Sequence, residues 1–338
     1  MRHKLAFLGF GTVGQGVCEI LKNKRDLLKE KYDFEFDIVA VSDFHFGNVF
    51  NPDGLDLDDL LVNGAQKKPF TKDIKTWDNL TMIKESNATS ILELTYTDLE
   101  TGGPAMDHCR TALRSGKNVV TSNKGPAALA YPEMKKIADE NDASFLIEGT
   151  VCAGTPVINL ANGPLAGCNI SKIRGILNGT TNYMLSEMEK GMAYDEVLKI
   201  AQEKGYAEAD PTGDVEGHDA RGKVTILANI VMGGSLKVSD VSCKGITAIT
   251  PDDITNAGKN NKRWKLIGSV ENSDGVISGS VSPEMIDLSH PLAGVMGATN
   301  ALTFTTDLLG DVTIVGPGAG KIETGFSIVT DLLEINRK

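Results

Sequence analysis

The chain has 338 residues, enough for two cores rather than one. Its hydrophobic content of 41% and charged content of 23% are ordinary for a folded soluble protein. A formal net charge of −11 argues against a nucleic-acid grip, which needs clustered Lys and Arg, yet leaves room for an anion held at a helix N-terminus.

The start, Met1-Arg2-His3-Lys4, is basic and precedes an apolar stretch, as in a signal peptide. Gly9, Gly11, Gly14 and Gly16 interrupt that stretch and no cleavage pattern follows, so residues 5–8 read as a first strand. Val13, Val17, Ile20 and Leu21 then recur at helical spacing, and the charged segment 22–33 completes that helix and turns. Residues 36–41 predict a second strand and close a βαβ unit. Between 44 and 90, frequent Asn, Asp, Gly and Pro predict a long excursion with short elements. A strand at 90–94 follows. Pro104 opens a helix that buries Cys109, Ala112 and Leu113, and Gly116 ends it. A strand at 119–121, a helix marked by Pro132, Met134, Ile137 and Ala138, and a strand at 145–148 complete the alternation. This pattern predicts an α/β fold: a Rossmann-type parallel sheet covered on both faces, over residues 1–150.

Beyond Gly154 the pattern changes. A strand at 173–177, helices at 180–190 and 195–204, and a longer helix at 219–232 precede β-rich segments that include 276–281 and 302–304. These predict a second, α+β domain with an antiparallel or mixed sheet. No run of about 18 apolar residues occurs, so no membrane helix is expected. Five cysteines (Cys18, Cys109, Cys152, Cys168, Cys243) are widely spaced and hold no C-x-x-C pair. They read as thiols of a reducing compartment, hence the cytoplasm, rather than as disulfides or a zinc site.

Gly9-Phe10-Gly11-Thr12-Val13-Gly14 is G-x-G-x-x-G between a predicted strand and helix. The first glycine permits the turn, the second admits a pyrophosphate, and the third lets helix and strand approach. Asp43 follows the second strand, where a carboxylate accepts hydrogen bonds from the ribose of NAD and repels the 2′-phosphate of NADP. The same residue could equally cap a turn. The ribose reading predicts that NAD is accepted at least as well as NADP.

Four later segments resemble homoserine dehydrogenase: Asn123-Lys124-Gly125-Pro126, residues 148–156 (E-G-T-V-C-A-G-T-P), residues 178–183 (N-G-T-T-N-Y), and residues 201–223. The last carries Gly205, Asp210-Pro211, Asp214, Gly217, Asp219 and Lys223. The resemblance extends to Gly316-Pro317-Gly318-Ala319-Gly320, nearly the whole chain. It implies reversible NAD(P)-dependent interconversion of L-homoserine and L-aspartate 4-semialdehyde, in threonine and methionine biosynthesis. It also implies a homodimer, with residues 316–338 rejoining the dinucleotide-binding domain and 151–315 forming the catalytic and dimerisation domain. The chain ends soon after the glycine-rich C-terminal motif, so neither a regulatory domain answering to threonine nor a fused aspartate kinase is expected.

Lys223 lies four residues after Asp219 on a predicted helix, so both face one side. That spacing fits a surface ion pair as well as a proton-transfer pair. The resemblance makes Lys223 the acid–base, with Asp219 beside it. Lys124 follows a strand at the carboxyl edge of the sheet, where open α/β folds bind ligands, and the resemblance sets it near nicotinamide and substrate. Glu208, Asp210, Asp214 and Asp219 fall within twelve residues, and Gly205, Pro211 and Gly213 suggest a turn that converges them. Glu208 and Asp214 are then candidates for the substrate ammonium. Gly179 and Thr180 offer helix N–H groups and a hydroxyl. Tyr183 and Tyr206 read as packing residues with a polar tip, and the resemblance adds Tyr206 to the substrate set. It also adds Thr95, Gly320 and Thr324 to the cofactor set. By resemblance, Glu148, Val151, Ala153 and Thr155 hold a sodium or potassium ion through carbonyl oxygens. None of the five histidines is assigned a catalytic role. Two other readings compete: another amino-acid dehydrogenase such as aspartate dehydrogenase, which leaves the Asp214–Asp219–Lys223 spacing unexplained, and a non-catalytic NAD(P) sensor, which needs neither Lys124 nor Lys223.

Overall fold

The computed structural model describes residues 2–337, so Met1 of the basic start and Lys338 of the C-terminal segment lie outside the described residues. Contacts divide the chain into two compact units, Met1–Gly154 with Gly320–Lys338, and Thr155–Ala319.

The first unit holds strands β1 (Arg2–Leu8), β2 (Glu35–Asp43), β3 (Gly47–Phe50), β4 (Ser90–Glu93), β5 (Asn118–Thr121) and β6 (Phe145–Leu146), in the order β3-β2-β1-β4-β5-β6. All pairs are parallel except β2 with β3. That edge departs from the expected all-parallel sheet for a geometric reason. Only residues 44–46 separate the two strands, and a link that short permits a hairpin but no crossover. The strand order reverses between β1 and β4, which makes their carboxyl ends the ligand crevice of such a sheet. Phe7, Leu21, Ile38 and Leu92 are fully buried in its core, and Ile328 and Leu332 of the C-terminal helix Lys321–Asn336 join them. Two glycines admit that helix. A methyl group at Gly16 would lie 2.0 Å from the Lys321 carbonyl oxygen, and one at Gly325 would lie 2.9 Å from the Gly16 carbonyl carbon.

Several boundaries differ from the sequence reading. Segment 22–33 is not one continuing helix: Thr12–Asn23 ends at Lys24 and Arg25–Tyr32 begins anew. The helix expected around Pro132 starts earlier, at Lys124, and is broken at Ala130 (φ −147°, ψ 24°). Pro132 has no N–H to give and its ring crowds the preceding turn, so periodicity was visible only after the break. The strand expected at 145–148 stops at Leu146, and Glu148–Thr150 is a 3-10 turn. The excursion holds β3 and two helices, Leu57–Gln66 and Asn79–Glu85, capped by the carboxylates of Asp56 and Asp78.

The second unit holds β7 (Ile170–Ile176), β8 (Ser242–Cys243), β9 (Lys262–Ser273), β10 (Val276–Asp287), β11 (Thr299–Thr306) and β12 (Gly310–Pro317), in the order β12-β11-β7-β9-β10-β8. The pairs are antiparallel except β8 with β10, so the sheet is mixed. Helix His218–Val231 packs on β9 and β10. Gly268 and Gly279 make room for it, since a methyl group at either would lie 2.8 Å from Val224. Lys265 on β9 is fully buried. Its ammonium donates to Asn182 Oδ1 at 2.8 Å and to the Val295 carbonyl at 2.5 Å, and burial pushes its pKa down to about 8.

Candidate active site

The three glycines of the G-x-G-x-x-G turn do different things. Gly9 has φ +95°, and a methyl group there would lie 2.6 Å from the Leu94 carbonyl oxygen. At Gly14 it would lie 2.7 Å from the Gly9 carbonyl oxygen. Those two are required by the fold itself. Gly11 has φ −71° and nothing within 4 Å of the position a methyl group would take. It stands at the N-cap of helix Thr12–Asn23, which no side chain caps. Open space before uncapped N–H groups is what a diphosphate needs.

Asp43 ends β2 and acts as a strut. Its Oδ2 accepts Phe10 N–H at 2.7 Å, while Oδ1 accepts His45 N–H at 2.8 Å and Phe46 N–H at 3.1 Å. The turn-cap reading therefore holds in the geometry, and the carboxylate also ties β2 to the glycine-rich turn. Beside it opens a cleft of about 620 Å³, lined by Ser42, Asp43, Phe44, Asp78, Asp107 and His108 among others. Three of these carry carboxylates, and no Lys or Arg is among the lining residues.

At the end of β4, the Thr95 hydroxyl donates to the buried Glu93 carboxylate, which also meets His108 Nδ1 at 3.2 Å. Asn123 holds this edge to the next strand's exit. Its Nδ2 donates to the Tyr96 carbonyl at 2.8 Å, and its Oδ1 caps Gly125 N–H at 2.9 Å. Lys124 is thus the first residue of its helix, half-buried, with its N–H 3.3 Å from Thr97 Oγ1. Gly320 (φ +141°) is the N-cap of the C-terminal helix, and its carbonyl accepts Thr324 N–H at 3.0 Å. Glu148, Val151 and Ala153 are buried in the first unit, where Cys152 (φ +58°) and Ala153 (φ +49°) are consecutive left-handed residues. Thr155 falls in the second unit, and its hydroxyl donates to the Pro317 carbonyl at 3.0 Å.

In the second unit, Lys223 is buried on helix His218–Val231. Its ammonium donates to Asp219 Oδ2 at 2.7 Å and to the Leu177 carbonyl at 2.7 Å. Asn178 Nδ2 donates to Asp219 Oδ2 at 3.0 Å and to Asp214 Oδ1 at 2.7 Å. Burial raises the Asp214 pKa above the ordinary carboxylate value, and Asn178's hydrogen bond opposes that rise. Gly179 opens helix Gly179–Met188. The Thr180 hydroxyl donates to the Tyr206 carbonyl at 2.6 Å.

The structure therefore gathers Lys223, Asp219, Asp214, Gly179 and Thr180 around the exit of β7. It does not converge all four carboxylates of 208–219. Asp210 turns back to accept Thr212 N–H at 3.1 Å, and Glu208 is exposed outside this network. The tight turn spends its acceptors on its own backbone instead. Tyr206 is more exposed than a packing residue, at 44%, although its ring centroid lies 5.0 Å from that of buried Tyr183. Sequence reasoning missed Asn123 and Asn178 as working side chains. The available signal was an Asn immediately before each predicted helix start. Among the described residues all five cysteines are free, and desolvation pushes the Cys18 thiol up to about 12.

A family model described as homoserine dehydrogenase matches residues 156–333. The chain is 47% identical over 339 aligned positions to the NAD(+)-dependent homoserine dehydrogenase of Pseudomonas canavaninivorans, covering 99% of this chain and 96% of that one. It is 42% identical to the homoserine dehydrogenase of Methanocaldococcus jannaschii, covering 98% of each. Among solved structures, a putative homoserine dehydrogenase from Archaeoglobus fulgidus superposes with a TM-score of 0.89 at 37% identity over 99% of both chains. A hyperthermophilic archaeal homoserine dehydrogenase in complex with NADPH gives 0.84 at 28% identity, over 99% of this chain and 97% of that one.

The glycine geometry yields a test. Gly11→Val is expected to leave the thermal unfolding midpoint nearly unchanged and to abolish dinucleotide binding, read by NADH fluorescence titration. Retained affinity would mean that the open space before the helix is not the diphosphate site.

Proposed function

The chain belongs to the homoserine dehydrogenase family and is an NAD(P)-dependent oxidoreductase acting on a CH–OH group; from that premise we propose how its residues divide the reaction. A bound dinucleotide would supply the hydride exchange, as NAD(P)+ toward L-homoserine and as NAD(P)H toward L-aspartate 4-semialdehyde. The protein must handle one proton at the substrate's C4 oxygen and hold the amino-acid end. Lys223 exchanges that proton, and Asp219 and the Leu177 carbonyl keep its ammonium aimed. Asp214 receives the substrate ammonium, with Glu208 and Tyr206 completing the substrate set. Gly179 and Thr180 offer N–H groups to the substrate carboxylate. Lys124 supplies the second ammonium. Gly9, Phe10, Gly11, Thr12, Val13, Gly14, Thr95, Gly320 and Thr324 hold the dinucleotide. The observation that carries this reading is Lys223 itself, buried and with its Nζ 2.7 Å from both acceptors. A surface ion pair would be solvated. This one is sheltered, where a proton can pass without loss to water.

The adenosine end supports NAD over NADP. Asp43, Asp78 and Asp107 line the cleft, and no cation there would receive a 2′-phosphate. Consecutive left-handed, buried Cys152 and Ala153 support a sodium or potassium site on the carbonyls of Glu148, Val151, Ala153 and Thr155, since such backbone is held only against strain. Five free thiols support a cytoplasmic location. No described helix is long and apolar enough to cross a membrane. The homodimer rests on the family resemblance.

Three measurements follow. Lys223→Ala is expected to lower kcat by on the order of 10²–10⁴-fold with NADH affinity unchanged; wild-type turnover would remove Lys223 from the chemistry. Wild type is expected to show a kcat/KM for NAD about ten- to a hundred-fold above that for NADP, a ratio that Asp43→Ser narrows. A wild type that prefers NADP and is indifferent to the substitution would put the selectivity elsewhere. Turnover at fixed ionic strength is expected to rise when potassium or sodium replaces tetramethylammonium, with the active species sedimenting as a dimer; a rate indifferent to the cation dismisses the carbonyl site.

A further inference from the structure

We propose that Asn178 is a positioning residue of the proton-transfer centre, its one side-chain amide keeping Asp219 on Lys223 and leaving Asp214 charged for the substrate. The inference rests on the roles proposed above for Lys223 and Asp214.

The orientation of Asn178 is fixed from both ends. It is 5% exposed and forms the N-cap of helix Gly179–Met188. Its Oδ1 accepts Thr181 N–H at 2.9 Å and the Thr181 hydroxyl at 3.0 Å, so the oxygen belongs to the helix. Reversing the amide would set its NH₂ against the Thr181 N–H and its oxygen against two carboxylates. The NH₂ group is therefore committed to the carboxylates, one hydrogen to Asp214 Oδ1 at 2.7 Å and one to Asp219 Oδ2 at 3.0 Å. The preceding residue contributes too, since the Leu177 carbonyl accepts from Lys223. Two consecutive residues at the exit of β7 thus supply the acceptor for the lysine and the donor for its carboxylates.

Two carboxylates close to one lysine would ordinarily keep one proton between them. The charged groups facing the amide are Asp214, from the short helix Thr212–Val215, and Asp219 and Lys223, from helix His218–Val231. The first turn of helix Gly179–Met188, Gly179-Thr180-Thr181-Asn182, carries no charged side chain. Burial raises the Asp214 carboxyl above its ordinary range. The hydrogen bond from Asn178 is the next largest influence, ahead of repulsion by Asp219 and attraction by Lys223, and it favours the anion. Without the amide, Asp214 would take up a proton at higher pH and lose its hold on the substrate ammonium.

Asn178→Asp separates this role from helix capping. An aspartate still caps the helix, but ionised it cannot donate to two carboxylates. The expected result is a folded enzyme whose unfolding midpoint is lowered at pH 8, where a third carboxylate meets Asp214 and Asp219, and recovers as pH falls, with unchanged KM for NAD, a kcat at pH 8 lowered about tenfold or more, and a raised KM for homoserine. The deficit should shrink as pH falls, because the protonated side chain regains one donor hydrogen. A wild-type pH profile, kcat and homoserine KM in this variant overturns the proposal. Should Asn178→Asp fail to fold, Asn178→Ser, which caps and keeps one donor, decides. A lowered kcat at an unchanged unfolding midpoint supports the positioning role, and wild-type kcat overturns it. Lys223→Ala is measured in parallel. If it is inactive while Asn178→Asp is wild-type, only the positioning role falls; if it keeps wild-type turnover, the reading of the whole centre falls.

Discussion

A lysine ammonium held out of water is the constraint on which the second unit is arranged. Lys223 is buried, and burying an isolated charge is costly unless partners replace its hydration. Asp219 and the Leu177 carbonyl do so, from one turn back on the same helix and from the end of a strand. For both to converge, helix His218–Val231 must lie close on β9 and β10. Gly268 and Gly279 permit this, because any side chain there would meet Val224. The arrangement proposed for proton transfer thus reaches into the sheet as a requirement for small residues.

The first unit solves a different problem. A dinucleotide diphosphate is best met by backbone N–H groups, so its site is a matter of available space rather than of charged side chains. Gly9 and Gly14 are consumed by the fold's own close contacts, and Gly11 alone leaves room. Asp43 fixes that space by bonding Phe10 N–H, so the residue proposed to select NAD also secures the turn proposed to receive its diphosphate. The substitution Asp43→Ser therefore perturbs two things at once, which is why its readout is a ratio between two cofactors and not an absolute affinity.

The readable parts of the sequence are those where side-chain type reports geometry directly. Short apolar runs identified β1, β2, β4 and β5, and the G-x-G-x-x-G turn fell between strand and helix as expected. The Asp219–Lys223 spacing placed both groups on one helical face, and the bond between them is present. Strand β9 was not anticipated because its Lys, Arg and Trp interrupt any alternation. Lys265 is inward-facing yet charged, buried on partners far away in sequence. A local signal did exist there. Asp274 and Gly275 both have positive φ, the two-residue turn that joins β9 to β10, and Asp-Gly between strands predicts it. The carboxylates of 208–219 misled in the opposite way: their spacing suggested convergence, but Asp210 satisfied its own turn and left only Asp214 and Asp219 on Asn178.

What stays illegible is whatever the main chain does. Cys152 and Ala153 adopt left-handed backbone that neither residue favours, and nothing in their identities announces it. The segment is buried among groups that leave no freedom: Gly149 faces Ser122 and Ser327, Gly154 faces the Glu323 carbonyl, and Glu148 N–H is taken by Asp331. Strain of this kind persists only where surroundings over-determine it. Here the surroundings include the C-terminal helix, more than a hundred and fifty residues away in sequence. The backbone conformation is therefore a property of the assembled unit and not of the segment. No local reading of residues 148–154 could have produced it, whereas a change in Asp331, whose carboxylate takes the Glu148 N–H, should be felt there directly.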